Sequence, residues 1–85
     1  MTDTEKIVKI NEMVETCCAS WNAHMKEALK NRMAMIWESD TEAESYKVYT
    51  EVLGIIAFMN EAYFLSIHEA DRLSDFCGDL YYGYC

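Results

Sequence analysis

Apolar residues recur at helical spacing through the first part of the chain. At 100° per residue, one stripe of an α-helix takes in Ile7, Ile10, Val14, Cys17, Cys18, Trp21, Met25, Ala28, Leu29, Met35 and Ile36. Thr2 followed by Glu5 forms a capping box ahead of this stripe. The pattern predicts one long helix over about residues 4–38. A break near Ser20–Asn22 is compatible with the pattern, which does not require it.

A second apolar stretch, residues 41–65, is unusually wide. One half of its stripe contains Val48, Val52, Ile55 and Met59, and the other half contains Tyr46, Tyr49, Leu53, Ile56 and Tyr63. A stripe of this width needs partners on two sides, which predicts a helix in the middle of a bundle. Two overlapping capping boxes, which begin at Ser39 and Thr41, precede it. Gly54 falls on its polar side, where it costs about 1 kcal/mol of helix propensity.

The third predicted helix covers residues 67–82 and follows a capping box formed by Ser66 and Glu69. Its inward positions are Ile67, Ala70, Leu73, Cys77, Leu80 and Tyr81, although Gly78 offers an earlier end. Proline is absent and only three glycines occur, which favours long helices over short strands. The sequence therefore predicts a single all-α domain over residues 1–85, an antiparallel three-helix bundle with a long first helix. The part of that helix left uncovered would allow a homodimer.

The charge of the chain is concentrated in its second part. The net charge is −8, and residues 1–37 carry five acidic and five basic residues. Residues 38–85 carry ten acidic residues against Lys47 and Arg72, so all of the excess lies there. Such a surface repels nucleic acid and anionic lipid and attracts basic partners. Direct nucleic-acid binding is therefore not expected, even though Lys26, Lys30 and Arg32 form a small basic patch.

Several classes of function find no pattern in the chain. No apolar run approaches the roughly 18–20 residues that cross a bilayer, and no signal peptide is evident, so we expect a cytoplasmic protein. The four cysteines include no Cys-x-x-Cys pair, and we expect free thiols with no metal and no cofactor. A phosphate-binding loop, a nucleophile elbow and a zinc-protease motif are missing as well. We therefore predict that the protein is not an enzyme.

Three aspartates recur every four residues along the third predicted helix: Asp71, Asp75 and Asp79. They lie about 6 Å apart along the helix axis, which is close to the spacing of backbone phosphates. Like charges at this spacing destabilise a helix by a few tenths of a kcal/mol per pair, and only Arg72 lies nearby. The row is either a solvated face or a binding surface, and both interpretations stay open.

The function predicted from these features is protein binding through an acidic surface. The predicted contact residues are Asp71, Asp75, Asp79, Glu69, Tyr82, Tyr84, Glu38, Asp40, Glu42 and Glu44. The predicted partner has a basic surface that normally binds nucleic acid, such as a nuclease, and the chain would inhibit it. Small acidic inhibitors of phages and mobile elements, including anti-CRISPR and anti-restriction proteins, have this size and charge. The alternative is a homodimeric structural or adaptor protein that uses Met25, Met33, Met35 and Trp37.

Overall fold

The computed structural model describes the backbone of residues 2–84 and the side chains of residues 2–82. This part of the chain is all-helical, as predicted, and contains no strand. The count of three helices is wrong, and nothing in the described residues supports a second copy. The helices are α1 (Asp3–Cys17), α2 (Ala23–Glu38), α3 (Glu42–Glu61) and α4 (Ile67–Tyr84).

The long first helix is interrupted between Cys17 and Ala23. The side chain of Asn22 accepts a hydrogen bond from the Met25 N–H at 2.8 Å and starts α2 as its N-cap. Trp21 turns inward, where it is 7% exposed, and its Nε1 donates to the Phe64 carbonyl at 3.0 Å. Helices α1 and α2 each bury their part of the stripe in the same core. The prediction of one continuous helix is therefore wrong.

The other helix starts follow the predicted caps, with one exception. Thr2 and Thr41 accept hydrogen bonds from the N–H groups three residues later, at 3.2 and 3.1 Å. Ser66 and Glu69 form a complete capping box, with bonds of 3.1 and 2.8 Å. Ser39 does not cap α3, because its hydroxyl donates to the Met35 carbonyl at the end of α2.

The end of α3 is a Schellman turn, which closes the helix earlier than predicted. The Phe64 N–H donates to the Met59 carbonyl at 2.8 Å, and the Tyr63 N–H donates to the Asn60 carbonyl at 3.1 Å. Tyr63 adopts a φ of +65°, a conformation that such turns usually give to glycine. Its side chain is 96% exposed, so the prediction that it points inward is wrong.

Helices α2 and α4 form the centre of the domain, because each contacts all three other helices. Helices α1 and α3 lie on opposite sides of this pair, and their described residues do not contact each other. The stretch predicted to lie in the middle of the bundle, α3, has the two partner helices that its wide stripe predicts, α2 and α4. The fully buried core side chains include Val14, Met33, Ile36, Val52, Ile56, Leu73 and Leu80. Ile7, Met35, Tyr46 and Ile67, all predicted to face inward, are about half exposed.

Gly54 and Gly78 lie within helices and have different surroundings. Gly78 does not end α4: it is buried, and the Tyr49 hydroxyl lies 3.5 Å from the position of an added Cβ. An alanine at this site would make an ordinary contact with that hydroxyl, whereas a larger side chain would meet the Tyr49 ring. Gly54 is exposed, and no atom lies within 4 Å of an added Cβ. None of the described helices is both long enough and apolar enough to span a membrane.

Candidate functional site

The row of Asp71, Asp75 and Asp79 lies on the exposed face of α4. The opposite face of this helix buries Leu73 and Leu80, which fixes the direction of the row. Within the described part of the chain, ion pairs are Lys26–Glu15, Lys30–Glu15 and Arg32–Glu51, and none of them involves the row. The three carboxylates are therefore exposed and not neutralised by a basic side chain of the described residues.

A cluster of tyrosines joins the end of α4 to the start of α3. The rings of Tyr49 and Tyr81 stack with centroids 5.0 Å apart, and Tyr46 and Tyr82 pack edgewise or tilted against Tyr81 at 5.6 and 5.2 Å. Tyr46 and Tyr82 are 53% and 72% exposed, so both offer aromatic surface next to the acidic row. The Tyr81 hydroxyl donates to the Glu42 carboxylate at 3.2 Å. The predicted residues Glu42 and Tyr82 are thereby brought to one end of the domain.

The pKa of the Tyr49 hydroxyl reflects its surroundings in this cluster. Burial raises its pKa, and the negative charge of Asp75 adds to the effect. The hydroxyl lies against Gly78 on α4 and remains a neutral hydrogen-bonding group at physiological pH. This tyrosine therefore supports the surface structurally, while Tyr46 and Tyr82 present aromatic area to solvent.

Glu69 has a local structural role at the start of α4. Its carboxylate accepts a hydrogen bond from the Ser66 N–H at 2.8 Å, and this bond, with a contribution from the Ser66 hydroxyl, lowers its pKa. Its exposure is intermediate, and it belongs to the cap as much as to the surface. The side chain of Tyr84, also among the predicted contact residues, lies outside the described side chains.

The remaining predicted acids lie at the turn between α2 and α3. Glu38, Asp40 and Glu44 surround a depression of about 270 Å³ together with Met35 and Ser39. Glu42 and Glu44 are two residues apart and therefore point to opposite sides of α3, one toward α4 and the other toward α2. The structure thus divides the predicted acidic residues between two surfaces.

A furrow between α2 and α3 was not predicted from the sequence. At one end, Trp21, Met25, Ile55 and Met59 line a cleft of about 130 Å³. The furrow continues past Phe58, which is 63% exposed. Arg32, which the sequence analysis assigned to a small basic patch, lies in this furrow and pairs with Glu51 at 3.7 Å. Gly54, which falls on the polar side of the predicted helix, also lines the furrow.

The described cysteines Cys17, Cys18 and Cys77 are buried free thiols. Burial raises the pKa of Cys18 and that of Cys77 to about 12, so both thiols stay protonated at physiological pH. A thiol in this state is a poor nucleophile and a poor metal ligand. Among the described residues, no group of three or more histidine, cysteine or acidic side chains is arranged to hold a metal ion.

The alternative Met and Trp surface is largely part of the interior. Met33 is fully buried, Met25 and Trp37 are partly buried, and only Met35 is substantially exposed. The Lys6 ammonium, on α1, lies over the Trp37 ring, 4.9 Å from its centroid. Lys6 therefore covers one face of this ring. This set of residues does not form one continuous exposed patch.

Comparison of the chain with protein families, with curated proteins and with solved structures finds no match.

Proposed function

We propose that this protein binds the basic nucleic-acid-binding surface of a partner protein through α4 and thereby excludes the nucleic acid. The observation that carries the proposal is the row of Asp71, Asp75 and Asp79, three exposed carboxylates with no ion pair among the described residues. The partner class includes nucleases, and the mode of action is that of a small acidic inhibitor of the anti-CRISPR or anti-restriction kind.

The energetics of the row support a binding role. Each pair of like charges one turn apart destabilises α4 by a few tenths of a kcal/mol. No basic side chain of the described residues forms an ion pair that offsets this cost. Arginine and lysine side chains of a partner would form charge-assisted hydrogen bonds with carboxylates spaced like phosphates. The repulsion within the row would then be relieved on binding.

The neighbouring aromatic residues add a second kind of contact. Tyr82 and Tyr46 are exposed at the end of the row, and tyrosine is enriched among residues that dominate binding energy. Their rings pack edgewise or tilted against Tyr81, so little side-chain freedom is lost on binding. We place Glu42 in the same surface, because the Tyr81 hydroxyl holds its carboxylate there.

The proposal is tested by capture of partners from a lysate of cells that express the protein. The immobilised parent is compared with a variant in which Asp71, Asp75 and Asp79 are all changed to Asn. The matched control changes the exposed residues Glu12, Glu27 and Glu61 to Gln, which removes the same three charges elsewhere. Bound proteins are eluted with salt, because exposed charge attraction is screened over about 8 Å at 0.15 M.

The expected result is capture of a nucleic-acid-binding protein by the parent and the control, but not by the Asp variant. Added duplex DNA should compete with the parent for that partner. If the Asp variant captures the partner as well as the parent does, the proposal is wrong. It is also wrong if the partner binds DNA and the parent protein at the same time.

A further inference from the structure

The furrow between α2 and α3 follows the seam of the two helices along its whole length. Arg32, Ile55 and Met59 line both its apolar end and the adjoining open stretch. Glu51 then links that stretch to a depression beside Val48. The depression shares Met35, Ser39 and Glu44 with the acidic pocket at the α2–α3 turn. These adjoining depressions are together called the groove, which is apolar at one end and acidic at the other. The Arg32–Glu51 ion pair and Lys47 lie between the two ends.

Gly54 lines the open stretch of this groove, and no contact within the fold requires a glycine there. It has no positive φ, and a Cβ at this position would meet no atom within 4 Å. Glycine in a helix interior nevertheless costs about 1 kcal/mol relative to alanine. Close approach of another molecule to the backbone would account for a glycine at this position.

The loop that follows α3 adds exposed aromatic side chains beside the apolar end of the groove. Tyr63 holds a left-handed conformation that is unfavourable for a bulky residue, yet its side chain is 96% exposed. Phe64 beside it is 52% exposed, and its carbonyl accepts the hydrogen bond from Trp21, which lines the groove. The aromatic loop is thereby attached to the apolar end of the groove and extends its apolar surface.

We propose that this groove binds an amphipathic α-helix of a protein partner, with the apolar face of that helix against Met25, Phe58 and Met59. The end of the bound helix that carries lysine or arginine would lie against Glu38, Asp40 and Glu44. Helices that bind in grooves bury an apolar stripe in this way. The seam is as long as α2, which has 16 residues, so about 24 Å of a partner helix fits along it.

Charge complementarity selects this occupant over two others. A second copy of the chain would bring a net charge of −8 against an acidic groove end. An anionic membrane would be repelled in the same way. A helix with basic residues at one end complements both the apolar and the acidic part of the groove. The proposal does not depend on the α4 face, because the groove lies on the other side of α3.

The test uses a synthetic peptide of about 18 residues, long enough to cover the seam. It carries leucines at helical spacing and lysines in its last turn. One control peptide has the same composition in shuffled order, and a second control peptide has glutamates in place of the lysines. Binding is measured by fluorescence anisotropy of the labelled peptides, and the contact surface is mapped from amide chemical shifts of the protein. Light scattering tests whether a second copy of the chain binds instead, and flotation with phosphatidylcholine vesicles tests whether a membrane does.

The decisive variants are Gly54→Leu, which fills the groove, and Ala57→Leu, which adds the same side chain on the exposed surface of α3. We expect Gly54→Leu to weaken binding about tenfold or more and Ala57→Leu to leave it unchanged, with both variants folded by circular dichroism. Changing Glu38, Asp40 and Glu44 to their amides should flatten the salt dependence of binding.

The proposal is overturned if the peptide does not bind, or if the shuffled peptide binds equally. It also fails if the two leucine variants weaken binding equally, or if the shifts map to the row of Asp71, Asp75 and Asp79. A dimer that Gly54→Leu dissociates would assign the groove to a second copy, and vesicle binding would assign it to a membrane. Because changing that row to Asn should not affect peptide binding, failure of this proposal is distinguishable from failure of the proposed function.

Discussion

Replacing Gly54 with alanine should stabilise the protein. The residue lies in the interior of α3 with no positive φ, and an added methyl group meets no atom within 4 Å. Alanine therefore recovers most of the propensity lost by glycine, about 0.5–1 kcal/mol, without a steric penalty. For a domain of this size, 1 kcal/mol corresponds to a rise of about 4–8 °C in Tm.

The measurement is urea unfolding followed by circular dichroism, with a thermal scan of the same samples. The midpoint should rise while the slope of the free energy of unfolding against urea stays constant. A midpoint that is unchanged or lower would refute the reasoning, because the absence of neighbouring atoms would then not describe the site.

Gly78 provides the control for this prediction. Alanine there meets the Tyr49 hydroxyl at 3.5 Å, an ordinary contact, and should be tolerated. Leucine separates the two sites: it should be accepted at the open position 54, but at the buried position 78 it should displace the Tyr49 ring. Overpacking of this kind costs about 1–3 kcal/mol. Equal effects of leucine at both sites would contradict the described difference in their surroundings.

Three further predictions concern single interactions. Trp21→Phe should lower the free energy of unfolding by about 1 kcal/mol in urea, because the bond to the Phe64 carbonyl is lost. Ser66→Ala should cost about 1 kcal/mol at neutral pH by removing a helix cap. The pKa of Glu69 is lowered in the folded state, so its carboxylate stabilises the fold above its ordinary pKa of 4.5, and this stabilisation is lost as the pH falls through the lowered pKa. When the free energy of unfolding is measured against pH, Ser66→Ala should lose less stability than the parent in this acidic range. Cys77, whose pKa is raised from 9.0 to about 12, should be alkylated by iodoacetamide at pH 8 about a thousandfold more slowly than in urea, as measured by peptide mass spectrometry.

The starts of the helices could be predicted from the sequence, whereas the connections between helices could not. Caps at Thr2, Thr41 and Ser66 depend on residues three positions apart, and the structure confirms them. The break before α2 involves Asn22, whose capping character is visible in the sequence. What decides the break is the inward turn of Trp21 onto Phe64, 43 residues later in the chain. A one-dimensional stripe does not contain that contact, and its phase is preserved on both sides.

The candidate site was predictable where one helix decides it. Asp71, Asp75 and Asp79 share a face because α4 has a strong apolar stripe on its other side, and one helical period places them. The prediction grouped Glu42 with Glu44 because they are close in sequence, but residues two positions apart in a helix point to opposite sides of it. The groove depends on how α2 and α3 pack, which no single helix encodes.

The separation of α1 from α3 gives the domain an unequal resistance to opening. Within the described part of the chain, the helices that α1 contacts are α2 and α4, and its first buried residue is Ile10, so its first two turns bury little. Opening of this helix would leave the contacts among α2, α3 and α4 in place. Regions with few buried contacts exchange their amide hydrogens through local fluctuations, before global unfolding. Deuterium should therefore enter the start of α1 first and the central helices α2 and α4 last, while the two proposed binding surfaces, both on the remaining three helices, stay assembled.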